Sequence, residues 1–95
     1  MKKYEVMFII RPNLDEQARE ALVAEVSEVF TARQSEVLNV KNMGLRELAY
    51  EIKKHKTGYY YLLTIEAPVA AINEFTRISN ISSDIIRSLV TRIEK

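Results

Sequence analysis

Apolar residues in this chain recur first at period two, then at three-to-four, and the period changes four times along the sequence. That alternation constrains the fold more than any other feature, because each period commits a segment to a strand or a helix with one buried side. Residues 3–10 read Lys-Tyr-Glu-Val-Met-Phe-Ile-Ile, with Tyr4, Val6, Phe8 and Ile10 on one face and Glu5, Met7 and Ile9 on the other. This predicts a strand whose second face is only half polar and is open to being covered. Arg11-Pro12-Asn13 interrupts it, since proline turns the preceding residue away from helical angles. A helix capped by Asn13 or Asp15 is then predicted to run to about Arg33, with Ala18, Leu22, Val26, Val29 and Phe30 on its apolar stripe. From Ser35 to Lys53 the pattern is that of an interrupted strand, with Gly44 as a bulge or kink and Leu48, Tyr50 and Ile52 half-buried at its end. Lys53-Lys54-His55-Lys56-Thr57-Gly58 reads as a basic turn, and Tyr59–Ala67 as the strand that completes a hairpin. Pro68 suits the first position of a short helix carrying Ile72, Phe75 and Ile78, with Asn80 as its stop, and Ile85–Ile93 is a last strand.

The order strand, helix, strand, strand, helix, strand is that of the ferredoxin-like split βαβ arrangement, an α+β fold. Right-handed crossovers predict a four-stranded antiparallel sheet in spatial order 4-1-3-2, with both helices on one face and the other face open. At 95 residues the chain has enough surface for one core and not for two, so residues 1–95 are expected to form one domain. The absence of cysteine removes disulfides, thiolate metal sites and cysteine nucleophiles, and is compatible with a cytoplasmic location. The opening apolar run is far shorter than the ~18 residues of a membrane span, and no leader or membrane association is expected.

Function is expected on the open face, because the other face belongs to the core. Glu5, Met7 and Ile9, with Tyr60, Leu62 and Thr64 and with Arg87, Leu89 and Thr91, would mix apolar, aromatic and basic groups of the kind found at interface centres. Scattered exposed apolar residues also occur without a partner. The net charge of +1 conceals a division: residues 1–11 sum to +2, 12–36 to −4, 37–58 to +3 and 59–95 to zero. The first helix would repel phosphate, whereas the amino-terminal strand and central hairpin could meet it. Catalytic constellations are poor, since His55 is the only histidine and the two glycines lie 14 residues apart, which excludes a phosphate loop. Gly58-Tyr59-Tyr60-Tyr61-Leu62 partly matches the aromatic strand of RNA-recognition modules, but Tyr59 and Tyr61 would have to face outward, opposite to Tyr60. A small enzyme or ligand-sensing domain on the same scaffold stays open on these grounds.

The segment Gly44-Leu45-Arg46-Glu47-Leu48-Ala49-Tyr50-Glu51-Ile52-Lys53 resembles the signature of the bacterial small-subunit ribosomal protein six family. Tyr4-Glu5-Val6, Arg11-Pro12-Asn13-Leu14 and Gly58-Tyr59-Tyr60 are similar to that family as well, so the resemblance spans the chain. It implies a structural constituent of the small ribosomal subunit, without catalytic activity, cofactor or small-molecule substrate. It also implies binding to the central domain of 16S rRNA as a heterodimer with small-subunit ribosomal protein eighteen. On that basis the protein partner is expected around Tyr50, Tyr60, Leu62, Arg87 and Leu89. Phosphate contacts are expected at Lys2, Lys3, Arg46 and Arg92, and secondarily at Lys53, Lys54 and Lys56.

Overall fold

The computed structural model describes residues 2–93. It contains β1 (Lys2–Ile10), α1 (Glu16–Thr31), β2 (Glu36–Ile52), β3 (His55–Ala67), α2 (Val69–Ile81) and β4 (Ile85–Arg92). The strands form one sheet in the order β2-β3-β1-β4, every neighbouring pair antiparallel, which is the predicted order written from the other edge. Val6, Phe8 and Ile10 of β1, Tyr61, Leu63 and Ile65 of β3, Val26 and Phe30 of α1, and Ala71 and Phe75 of α2 share one buried cluster. Both helices therefore cover the same side of the sheet. Phe8 is its centre, stacked on Tyr61 at 5.8 Å between centroids and tilted against Phe75 at 6.2 Å.

Asp15 is the α1 cap, its Oδ1 accepting from the Ala18 N–H at 2.8 Å. The helix ends at Thr31, short of Arg33, which instead donates back from Nη1 to the Val29 carbonyl at 3.0 Å. A carbonyl that has lost its helical partner is thereby satisfied from outside the helix. Pro68 stands one place earlier than predicted, as the cap of α2 at φ −77° and ψ 161°, and the helix runs through Asn80 to Ile81. Proline has no N–H to lose at either position, so its residue type does not distinguish them. β4 ends at Arg92, although the Ile93 N–H still donates to the Lys3 carbonyl at 3.0 Å.

The central hairpin departs most from expectation. Its turn is not the six residues 53–58 but two, Lys53 at φ 49° and Lys54 at φ 70°, with His55, Lys56, Thr57 and Gly58 already inside β3. Two successive positive φ values define the hairpin turn whose twist matches its strands, a conformation that non-glycine residues enter at a cost. Gly44, at φ 83°, sits at a register shift between Asn42 and Gly44, the bulge its residue type predicted. A larger shift follows. Glu47 pairs with Thr57 and the next pair is Ile52 with His55, so four residues of β2 face a single residue of β3.

Candidate functional site

Residues directly opposite in a sheet share a face. Met7 stands between Leu62 and Leu89, Ile9 between Tyr60 and Arg87, and Glu5 between Thr64 and Thr91. These rows lie opposite the helices and reproduce the open face read from the alternation. Lys41 joins them beside Leu62, a position with no apolar alternation to flag it.

The face is not fully open. Residues 48–51, released from the ladder, arch over its upper half, so that Leu48, Ala49, Tyr50 and Ile52 enclose a hollow of about 130 Å³ together with Met7, Ile9, Tyr60, Arg87 and Leu89. Ile9 is consequently only 2% exposed although it points away from the main core. Gly58 allows the close approach: a Cβ there would collide with the Ile9 Cγ2 and lie 3.2 Å from the Ile10 carbonyl oxygen. At the rim, Leu89 is 50% and Tyr50 62% exposed. The Arg87 Nη1 donates to the Tyr50 hydroxyl. The strand runs to Ile52 as expected, with Leu48 and Ile52 half-buried, but its end is an arm folded back over the sheet, and Tyr50, expected half-buried, is at its exposed tip.

Of the residues expected to meet a protein, Tyr50, Tyr60, Arg87 and Leu89 surround this hollow, and Leu62 lies one row further along the same face. The residues expected to meet phosphate do not gather. Lys2, Lys3 and Arg92 are at one end of the sheet, where Lys3 opposes Glu66 and Arg92 opposes Tyr4. Arg46 opposes Gly58 at the other end, near Lys53, Lys54 and Lys56. Eight residues of β3 separate these levels, about 26 Å at ~3.3 Å per residue. The first set is also divided between the two sides of the sheet: Lys3, like Arg46, follows the parity of the open face, and Lys2 and Arg92 that of the helices.

Tyr59 and Tyr61 are both turned to the helix side. Tyr61 is 4% exposed against Phe8, and Tyr59 lies under the Arg19 guanidinium at 3.7 Å. Base stacking on that pair, as an RNA-recognition module requires, has no free ring to use, and only Tyr60 of the three faces the open side. The hollow carries a single charged group, Arg87. Among the described residues no helix is long and apolar enough to cross a membrane.

A split βαβ sheet with one side committed to helices, the other apolar and partly roofed, and cations at both ends defines a small interaction domain. The chain matches the family model described as Ribosomal protein S6 over residues 3–92, and it belongs to that family. It is similar to the crystal structure of 30S ribosomal protein S6 from Thermotoga maritima, with 35% identity and a TM-score of 0.90, over 96% of this chain and 86% of that one. The protein is accordingly a non-enzymatic structural component of the small ribosomal subunit, and ribosome-associated.

Proposed function

We propose that the chain pairs through its open face with small-subunit ribosomal protein eighteen, and that the heterodimer binds the central domain of 16S rRNA during subunit assembly. The observation that carries this is one contiguous face made of Tyr50, Arg87 and Leu89, which are exposed, and Tyr60 and Leu62, which are half-buried, on a chain whose other sheet face is filled. Apolar and aromatic groups ringed by charge suit a permanent protein contact. Charge supports sharing the RNA with a partner: at +1 overall, this chain has little electrostatic attraction for a phosphate backbone by itself.

Lys3 and Arg46 on the open-face side, with Lys53, Lys54 and Lys56 at the hairpin tip, would meet phosphates where the partner's surface continues. Lys2 and Arg92 would meet them around the amino-terminal end. Contacts at both ends require RNA that spans about 26 Å or approaches from two helices.

A mixing experiment tests the pairing. Purified chain and purified protein eighteen are expected to elute as a one-to-one complex, and a tagged chain is expected to sediment with small subunits in a cell lysate. Separate elution of the two proteins at micromolar concentration would refute the heterodimer while leaving the family assignment untouched.

A further inference from the structure

The two outer strands of the sheet touch each other. β2 and β4 are its opposite edges, three strand spacings or about 14 Å apart at ~4.8 Å each. Yet Tyr50 of β2 accepts a hydrogen bond from Arg87 of β4, and that guanidinium lies 6.0 Å from the Tyr50 ring centroid. The contact exists because residues 48–51 have left the ladder and crossed the open face. The arm so formed is a wall, and the hollow beneath it has properties that restrict its occupant.

Its volume, about 130 Å³, is close to the ~150 Å³ of an apolar cavity that admits benzene, which is room for one large side chain. Its lining is dominated by Met7, Ile9, Leu48, Ile52 and Leu89. Its polar groups, Arg87 and the tyrosine hydroxyls, are few beside the apolar side chains, so an inserted nucleobase would bury most of its polar edge without partners, which disfavours RNA as the occupant. The charge at the mouth is one-sided. Arg87 is exposed, pairs with no carboxylate among the described residues, and has only a neutral phenol as its hydrogen-bond acceptor. A guanidinium offers five N–H donors, so most of its capacity remains for an anion.

We propose that this hollow is a socket for one large apolar side chain of the protein partner, and that Arg87 receives a carboxylate lying beside that side chain. Arg87 is also a positioning residue: by holding the Tyr50 hydroxyl it keeps the arm closed as a preformed wall, so the arm need not be ordered when the partner binds. The proposal rests on the open-face heterodimer and adds the chemistry of the segment that docks.

The test uses the full chain with photo-leucine, a near-isosteric diazirine, in place of Leu89, mixed with protein eighteen in the presence and absence of 16S central-domain RNA. Irradiation is expected to link position 89 to a large apolar residue of protein eighteen within two residues of an Asp or Glu. Links to RNA, to a second copy of this chain, or to a polar segment would overturn the socket. So would a one-to-one complex that forms without linking at this position, and that result would leave the heterodimer standing. No complex at all would overturn both. In parallel, Arg87→Ala is expected to weaken the complex at least about tenfold and to flatten the salt dependence of its dissociation. Tyr50→Phe, which keeps the charge, should weaken it less and leave the salt dependence intact. Wild-type affinity and salt dependence in a folded Arg87→Ala protein would overturn the role of Arg87.

Discussion

Replacing Leu89 separates the interaction face from the fold. Leu89 is 50% exposed beside Met7 on the side of the sheet away from the main core. Burying a leucine completely contributes about 1.5–3 kcal/mol, so covering its exposed half contributes about 1 kcal/mol. Leu89→Ala should therefore weaken binding of protein eighteen about fivefold. Leu89→Glu does more, since docking would then desolvate a carboxylate within an apolar contact, and that carboxylate would compete for Arg87 with the one the partner brings; a cost of about 3 kcal/mol, more than a hundredfold in affinity, is expected. In the free protein the same carboxylate stays in water, and the stability change should remain within about 1 kcal/mol. Titration calorimetry against protein eighteen, with urea unfolding of each variant, reads both quantities. A Leu89→Glu protein that is folded and binds with wild-type affinity would refute the open-face contact. One that fails to fold would refute the claim that Leu89 lies outside the structural core.

Other positions test the packing beneath that face. Gly58→Ala places a methyl against the Ile9 Cγ2, a branch that cannot swing away, with Ile86 Cδ1 only 3.5 Å off. A loss of about 1–3 kcal/mol in urea unfolding is expected, and an unaltered midpoint would contradict the close approach. Lys54→Gly relieves a left-handed residue at φ 70° and should stabilise the protein by about 0.5–1 kcal/mol, raising Tm by about 2–8 °C; a lower Tm would contradict the turn geometry. The Glu74 carboxyl is held below its usual pKa chiefly by its hydrogen bonds from Arg77, with Arg33 adding a weaker attraction. A carboxyl depressed in the folded state contributes stability that is complete above the ordinary value of about 4.3 and disappears as pH falls through the lowered one. Glu74→Gln should accordingly shrink the loss of stability between neutral pH and the region below about pH 4, measured as urea midpoints. An identical acid limb in the variant would refute the assignment.

Much of the architecture was legible because burial imposes its period on the residues themselves. Val6, Phe8 and Ile10 could only have been one face of a strand, and Val26, Val29 and Phe30 one stripe of a helix. The same logic placed Met7, Tyr60 and Leu89 on the open side. At residues 48–52 it placed the strand end, which runs to Ile52, but not its release from the ladder, because the alternation of Leu48, Tyr50 and Ile52 is equally compatible with a paired strand and with an arm. The distinction depends on Arg87, 37 residues away in sequence, and local pattern carries no information at that range. The hairpin turn was hidden because Lys53 and Lys54 are not the Asn and Gly that such a turn favours. The division of the cations between two ends and two faces follows from register, which charge sums over sequence windows cannot show.

Under the proposed function, this chain holds RNA as one half of a pair. Binding of labelled 16S central-domain RNA should be measured for the chain, for protein eighteen and for the two together, over a series of salt concentrations. The chain alone is expected to bind weakly, and the pair to bind far more tightly than either protein, with an affinity that falls steeply with salt as counterions are released. RNA binding by the chain alone as tight as that of the pair would contradict shared RNA binding.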